Sequence, residues 1–368
     1  MTGETRLFAN PPLFTGQERN DASLAFQPEY YHEWEGGSSF TAVPFARIDS
    51  ADSERTHFDI RELFGLWVFE RWELGVGIRK VFWGVTESQH LVDIINQTDL
   101  VESIDGEEKL GQPMVNVSIP HEWGTLDLFV LPYFRERTFP GREGRLRTSL
   151  VVDTDQATYE NSAEEWHIDF AVRYSRTIGD WDIGLSHFRG TGRDPTLLAR
   201  TDGAGNAVLI PRYEQISQTG LDAQLITGEW LWKAEAVYRS GQGDSFAALT
   251  GGFEYTLVGI AGTRMDLGVI GEWLYDDRGD AAPTPFENDI MAGMRLAVND
   301  AQSTEALLGV IQDIGSDARF LSIESSRRFG DHLRASLEIR AFLNQPTDDP
   351  FHDLRDDDLM RIELAYYF

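Results

Sequence analysis

The amino-acid sequence predicts an all-β fold, a transmembrane antiparallel up-and-down β-barrel of about 16 strands. Three observations lead to this prediction. Segments of about 9–13 residues alternate apolar and polar side chains, short and long connections alternate between them, and the chain ends in an aromatic residue on such a segment. No apolar run reaches the roughly 18 residues of a membrane helix, so the bilayer would be crossed by strands.

Composition restricts the function as well as the fold. The chain has 368 residues, a net charge of -29 and no cysteine. The acidic surplus argues against binding to nucleic acid phosphates. The lack of cysteine excludes disulfides, thiolate metal sites and cysteine nucleophiles. The mean hydropathy of -0.33 suggests a soluble protein, but a barrel would average lipid-facing apolar residues with a charged lumen and acidic loops.

The last segment shows the strand pattern most clearly, because Met360, Ile362 and Leu364 alternate with Arg361 and Glu363. The same period of two predicts strands near 40–48, 57–68, 72–82, 114–121, 125–135, 166–176, 180–189, 213–226, 231–240, 246–258, 265–275, 289–299, 305–313, 319–328, 332–343 and 359–368. A final strand with Tyr366 and Phe368 resembles the C-terminal strand that the barrel-assembly machinery reads in bacterial outer-membrane barrels.

Loop lengths distinguish a membrane barrel from a soluble sandwich. Short turns near 70–71, 122–124 and 177–179 alternate with long loops at 83–113, 136–165, 190–212, 276–288 and 344–358. Short periplasmic turns and long extracellular loops are typical of membrane barrels. An aromatic girdle is predicted at the short-turn ends, formed by Trp72, Trp123, Trp166, Trp181, Trp230 and Trp232.

The N-terminal region is predicted to lie apart from the barrel. One more spanning strand, for example within residues 23–34, would reverse the parity of the loops. Residues 1–39 are therefore assigned to a periplasmic or lumen-entering segment, and residues 40–368 to a single barrel domain. Export requires a leader, and we expect that Met1 stands in place of a removed one.

Three of the long loops carry about half of the net negative charge. Loop 83–113 has seven acids and one lysine, loop 276–288 four acids and one arginine, and loop 344–358 six acids and one arginine. These acids fit a solvated loop surface, a field that attracts cationic solutes, or a calcium site that bridges loops or lipopolysaccharide. The weak candidates for metal ligands are Asp356, Asp357 and Asp358. No other cofactor is expected.

The polar face of the strands predicts a charged lumen in which basic and acidic residues nearly balance. They would brace the wall by cross-strand pairs or form a selective ion ladder. The candidate pore-lining and constriction residues are Arg61, Arg79, Asp93, Asp99, Arg135, Arg173, Glu254, Glu272, Arg295, Glu338, Arg340 and Arg361.

Loop 83–113 is the candidate constriction. Leu91, Ile94, Ile95 and Thr98 follow helical spacing and predict one or two helical turns with an apolar face. That face would be buried if the loop folded into the lumen, where it would narrow the pore. The alternative is a helix that lies across the outer rim.

Three stretches carry a family resemblance: residues 60–63 (IREL), 77–84 (GIRKVFWG) and 93–99 (DIINQTD), with further likeness at 253–256, 285–289 and 355–358. They resemble porin-like outer-membrane proteins of unknown function in proteobacteria, which are distantly similar to alginate-export barrels. Gln97 and Thr98 stand where those proteins usually have proline. The resemblance implies a Gram-negative outer membrane, with the lipid bilayer, lipopolysaccharide and the barrel-assembly machinery as partners.

The predicted function is a porin-like channel for diffusion or facilitated transport of small solutes. The alternative is a plugged barrel that acts as an anchor, an adhesin or a component of a transport complex. An outer-membrane hydrolase is less favoured, because Ser186 and His187 are neighbours on one strand and point to opposite faces. Nucleophile-elbow, phosphate-loop and H-E-x-x-H patterns are absent, so the chain is predicted not to be an enzyme.

Overall fold

The computed structural model describes residues 1–368 and shows a closed antiparallel barrel of 18 strands. The strands of the chain are β1 (Thr2–Phe8), β2 (Asn20–Phe26), β3 (Tyr30–Glu33), β4 (Ser39–Asp49), β5 (His57–Val68), β6 (Glu73–Arg79), β7 (Gln112–His121), β8 (Gly124–Leu131), β9 (Thr158–Tyr159), β10 (Asp169–Ile178), β11 (Trp181–Thr191), β12 (Thr196–Thr201), β13 (Ala207–Tyr213), β14 (Gln215–Thr227), β15 (Trp230–Gly241), β16 (Gly243–Leu257), β17 (Asp266–Asp276), β18 (Asn288–Ala297), β19 (Glu305–Asp313), β20 (Arg319–Phe329), β21 (Leu333–Leu343) and β22 (Leu359–Tyr366).

Four of these strands are not counted as separate staves: β3 pairs with β4 and continues the stave of β2, while β9, β12 and β13 form a small sheet in the loops. Short 3-10 helices occur at Thr154–Gln156, Glu164–Trp166, Ile260–Gly262, Gly279–Ala281 and His352–Leu354. None of the helices is long and apolar enough to cross a membrane.

The prediction of about 16 strands is too low, because residues 1–39 contribute two strands to the wall. β1 pairs with β22 on one side and β2 on the other, which closes the barrel. The Met1 ammonium donates to the Tyr366 carbonyl at 2.9 Å. Because residues 1–39 add two strands to the wall, Thr2–Phe8 and Asn20–Phe26, the long loops stay at the same end of the barrel. One added strand would have moved them to the opposite end.

β3 continues β2 in a single register along β4. Phe26 is opposite Ala46, and Tyr30 is opposite Ala42. Pro28 lies in the short interruption between them, where its missing N–H and fixed φ disfavour a continuous ladder.

Successive connections alternate between the two ends of the barrel. The connections at one end, here called the long-loop end, are 9–19, 50–56, 80–111, 132–168, 192–214, 242, 277–287, 314–318 and 344–358. The opposite, short-turn end has connections 27–38, 69–72, 122–123, 179–180, 228–229, 258–265, 298–304 and 330–332, together with both chain termini. The five long connections that the sequence predicts all lie at one end, but that end also has the one-residue connection 242, and the opposite end has the twelve-residue connection 27–38.

The outer face of the wall is apolar, as a lipid-facing surface requires. Leu185, Ile290 and Leu364, which alternate with buried or charged residues, are each about half exposed. Exposed tryptophans stand at the short-turn end at positions 72, 123, 181, 230 and 232. Trp166 is an exception to the predicted girdle, because it precedes β10 and lies at the long-loop end.

The largest apolar core lies inside the barrel on one side of the lumen. Trp83, Val92, Ile94 and Ile95 of connection 80–111 pack against inward-facing residues of the wall. Those wall residues include Phe64, Met114, Phe129, Phe188, Val237 and Phe246. A loop with apolar side chains thus fills part of a lumen that wall side chains alone are too short to fill.

Candidate functional site: the plugged lumen

Connection 80–111, here called the plug, folds into the lumen. Ile95 and Val92 are fully buried. The plug contains turns and isolated bridges, including Thr98 with Lys109, and no helix. The predicted helical turns over 91–98 are therefore wrong. Within this segment the Val92 amide donates to the wall carboxylate Glu235, and Arg193 of connection 192–214 donates to the Ile94 and Ile95 carbonyls, so these backbone groups have partners outside a helix.

Glu235 of β15 is the strongest single attachment of the plug. Its buried Oε1 accepts hydrogen bonds from the Val85 amide at 2.7 Å, the Thr86 amide at 3.0 Å and the Thr86 hydroxyl at 2.8 Å. Its Oε2 accepts one from the Val92 amide at 3.2 Å. One wall carboxylate therefore holds both ends of the segment 85–92.

A second attachment follows on β17 and β18. Glu272 accepts the amides of Glu87 and Ser88 at 2.8 and 2.9 Å and the Ser88 hydroxyl at 2.6 Å. Arg295 binds the Glu87 carboxylate at 2.5 Å and Glu254 at 3.3 Å. Predicted pore-lining residues on three neighbouring strands thus converge on the plug.

Ion pairs hold the plug on the far side of the lumen. Arg61 Nη1 lies 2.7 Å from Asp99 Oδ2, and Arg340 pairs with Asp105. Arg47 Nη2 lies 2.7 Å from Glu102. These plug acids therefore neutralise wall arginines inside the barrel, and the interpretation of loop 83–113 as solvated outer surface is incorrect for them.

The other predicted site residues also have identified partners. Asp93 binds Lys109 at 3.3 Å, Arg135 binds Asp59 at 2.8 Å, and the Arg79 guanidinium lies 4.9 Å from the Phe64 ring centroid. Arg173 forms two hydrogen bonds to Asp222, at 2.6 and 2.8 Å. Glu338 pairs with both Arg340 and Arg361.

Sequence reasoning missed a charged cluster on the first strands. Glu4 binds Arg6 at 3.0 Å and Arg55 at 2.7 Å, while Arg47 contacts both Glu4 and Glu102. Glu4 and Arg6 alternate with Thr5 and Leu7, which is a period-two pattern too short to be distinguished from a polar tail.

His90 is the titratable group at the centre of the plug. Its Nε2 lies 2.9 Å from Glu107, and its Nδ1 lies 3.7 Å from Glu235. Burial lowers the pKa of His90, but the carboxylates of Glu107 and Glu235 outweigh it and raise the pKa to about 10. The imidazole is therefore a cation at neutral pH and adds an ion pair between the plug and the wall.

Two of the three carboxylates proposed as metal ligands have structural partners, while at Asp356 it is the backbone carbonyl that accepts from Arg145, at 2.9 Å. Asp357 binds Arg145 Nε at 2.7 Å and the Leu146 amide at 2.7 Å, and Asp358 accepts the Phe342 amide at 2.8 Å. No group of three or more histidine, aspartate or glutamate side chains has an arrangement that could hold a metal ion. Tyr366 and Phe368, the predicted assembly signal, lie at the short-turn end with their rings in contact.

A cavity of about 660 Å³ remains between the plug and the wall formed by β18–β22, β1 and β4. It reaches Glu305 and Arg334 near the short-turn end, and Met291, Ile311 and Phe320 near the long-loop end. The Phe320 ring packs on Phe342 and Phe351, with centroid distances of 5.4 and 5.6 Å. Aromatic residues thus back the cavity at the long-loop end.

The charges that line this cavity do not cancel. Its arginines, at positions 47, 295, 334, 340 and 361, are all ion-paired. Three of its carboxylates, Glu108, Glu324 and Glu363, form no ion pair with a basic side chain. The surplus of the cavity is therefore negative.

No protein-family model matches the sequence, and no curated protein is similar to it. Among solved structures, the Escherichia coli outer-membrane protein Wzi, described as a carbohydrate-binding β-barrel involved in group 1 capsule assembly, is similar over 100% of this chain and 84% of its own, with 11% identity and a TM-score of 0.57. Acinetobacter baumannii OccAB3 matches over 100% and 98%, with 12% identity and a TM-score of 0.51. A mutant Rh. blastica porin matches over 100% and 98%, with 11% identity and a TM-score of 0.44.

These likenesses concern the fold, since the sequence identities are low. The likenesses to Wzi and OccAB3 agree with the apolar outer face of the barrel. The chain has the fold of the β-barrels of the Gram-negative outer membrane, and a wall of this kind sits in a lipid bilayer.

Proposed function

We propose that the chain is a porin-like channel that conducts small cationic solutes through the space between the plug and the wall. The observation that carries the proposal is the set of three unpaired carboxylates, Glu108, Glu324 and Glu363, in a cavity whose arginines are all paired. A surplus of one sign of charge in a confined space concentrates counter-ions and excludes ions of the same sign.

The orientation forms part of the proposal. The long-loop end faces the outside and contacts lipopolysaccharide, and the short-turn end, with both termini, faces the periplasm. The terminal strand with Phe368 is the segment that the barrel-assembly machinery reads. The proposed function needs neither a catalytic residue nor a cofactor.

Reversal potentials in planar bilayers test the proposal. In a potassium chloride gradient, the refolded protein should favour K⁺ over Cl⁻. A triple variant, E108Q/E324Q/E363Q, should lose most of that preference, because the remaining charges of the cavity are paired. Glu122→Gln, in an exposed turn at the short-turn end, is the matched control and should retain it. Absence of conductance at any salt concentration or voltage contradicts the proposal.

The plug is the constriction in this proposal. Deletion of residues 86–110 removes its attachments to Glu235, Glu272 and Arg61 and should raise the single-channel conductance. The deletion must still give heat-modifiable migration on gels, which reports a folded barrel. An unchanged conductance in a folded variant would place the plug outside the conduction path.

A second candidate function is a plugged barrel that binds a saccharide at the long-loop end. It is favoured by a cleft of about 570 Å³ whose lining includes Tyr133 and Tyr159 beside Glu136, Asp155 and Glu165. Aromatic faces and carboxylates suit stacking and hydrogen bonding to sugar rings. Retention on immobilised polysaccharide, lost in Tyr133→Ala, together with absence of conductance would favour this function over the channel.

A further inference from the structure

We infer that the lumenal cavity binds amphipathic organic cations, molecules that carry one ammonium group on a short apolar body. This inference rests on the proposed function, because it concerns the same cavity and the same unpaired carboxylates. It adds the chemical class of the solute, which the charge surplus alone does not define.

The first supporting observation is an apolar row on the inner wall near the long-loop end. Met291 is directly opposite Ile311, Ile311 is opposite Phe320, and Phe320 is opposite Phe342 in the strand registers. Residues opposite each other on neighbouring strands point to the same face. Four consecutive strands thus present one continuous apolar band, and its first three members line the cavity.

The second observation is a row of small residues two positions nearer the short-turn end. Gly293 is opposite Gly309, and Gly309 is opposite Ser322. A Cβ added at Gly309 would meet the Met291 methyl group at 3.2 Å, and one added at Gly293 would meet the same methyl group at 2.8 Å, so the Met291 side chain covers the glycine row. The glycines of this row have no side chains that project into the lumen, and the cavity extends over Gly309 and Ser322, where the body of a ligand would lie against Met291.

The third observation is the charge below the glycine row. Leu307 is opposite Glu324, and Glu305 is opposite Ser326 in the next row. Glu324 lies four residues beyond Phe320 on β20, a separation of about 13 Å at the usual rise of a strand. Its carboxylate forms a hydrogen bond with the Ser322 hydroxyl at 3.3 Å and no ion pair.

Together these rows form a polarised site. An ammonium group would lie near Glu324, and a body of a few carbons would extend across the glycine row to Met291 and Phe320. An inorganic cation would use only the carboxylates, whereas an alkyl chain would also cover the apolar band, and each methylene that it buries strengthens binding. An anion of the same length would meet the negative surplus and be repelled.

Calorimetric titration of the refolded full chain in detergent tests the inference, with n-propylammonium to n-hexylammonium chloride as probes and titration into micelles alone as the blank. Affinity should rise about fourfold per methylene, and hexanoate should not bind. Gly309→Val, which fills the space over the glycine row without altering charge, should abolish the dependence on chain length. Glu324→Gln should weaken all the ammonium probes to a similar extent.

Leu321→Ala is the matched control, because Leu321 is next to Phe320 on β20 but on the opposite, outer face; its titration should equal that of the wild type. Equal affinity for propylammonium and hexylammonium, binding of hexanoate, or full binding by Gly309→Val would each overturn the inference. If the protein conducts cations selectively but its affinity for the ammonium probes does not depend on their chain length, the inference is overturned and the proposed channel stands. If the affinity rises with chain length but the protein does not conduct, the proposed channel is overturned and the binding site stands.

Discussion

Replacement of Glu235 by alanine should release one side of the plug. Four donors converge on this carboxylate: the amides of Val85, Thr86 and Val92 and the Thr86 hydroxyl. Glu235 is fully buried, so its removal leaves the three amides without an acceptor, while the Thr86 hydroxyl can still donate to the Gln89 carbonyl at 2.6 Å. Hydrogen bonds to charged groups contribute roughly 1.5–3 kcal/mol each, so the three amide bonds together contribute at most about 9 kcal/mol.

Rehydration of the freed amides reduces that loss, because a detached plug segment can reach lumenal water. We therefore expect Glu235→Ala to lower the free energy of unfolding by about 3–4 kcal/mol. The assay is urea unfolding of the refolded protein in detergent, followed by tryptophan fluorescence. Single-channel recordings of the same variant should show a larger and more variable conductance.

Glu254→Ala is the matched control for that experiment. Glu254 also faces the lumen, but its partners Arg295 and Lys233 both keep contact with Glu87. Its removal leaves no buried donor without an acceptor, so the free energy of unfolding should fall by about 1 kcal/mol or less. Unfolding of Glu235→Ala at the same urea concentration as the wild type, or an equal loss of stability in the two variants, would contradict this role for Glu235.

Three further predictions concern other parts of the molecule. The pKa of His90 is raised to about 10 in the folded chain and is about 6.5 in the unfolded chain. The protonated imidazole therefore stabilises the fold fully below about pH 6.5, and this stabilisation is lost as the pH rises to about 10. The urea concentration at the midpoint of unfolding should fall over this pH range in the wild type and fall less in His90→Gln. Asp222→Ala leaves the Arg173 guanidinium without its carboxylate partner and should cost about 3–5 kcal/mol, whereas D222A/R173M should recover part of this loss in the same unfolding assay. Phe368→Ala should reduce the amount of barrel in the outer membrane of intact cells while leaving refolding in detergent unchanged; equal amounts in cells would contradict a role in assembly.

The strand pattern of the sequence predicted most of the wall because its signal is local. From residue 39 onwards, the alternation of apolar and polar side chains identified each stave, for example Leu333–Leu343. The pattern failed at Thr2–Phe8, where a seven-residue strand has charged residues on its inner face and only two apolar ones. The burial of Glu4 on this strand depends on its ion pairs with Arg47 and Arg55, which are about 40–50 residues away in the sequence.

The interior was predictable in its chemistry but not in its pairing. The arginine positions of the wall follow from parity, and the acids of loop 83–113 follow from composition. Which acid meets which arginine depends on the path of a loop without regular structure, as for Asp105 and Arg340. Helical spacing at Ile94 and Ile95 correctly indicated buried side chains and incorrectly indicated a helix, because Arg193 binds the carbonyls of both residues and Glu235 binds the Val92 amide.

The path of the plug also sets an order of events in folding. Its segment begins after β6, yet its acids pair with Arg295 on β18 and Arg340 on β21, more than 200 residues later in the chain. Contacts between such distant segments form slowly because a large loop must close first. The plug therefore cannot complete its contacts with the wall until β18 and β21 are in place.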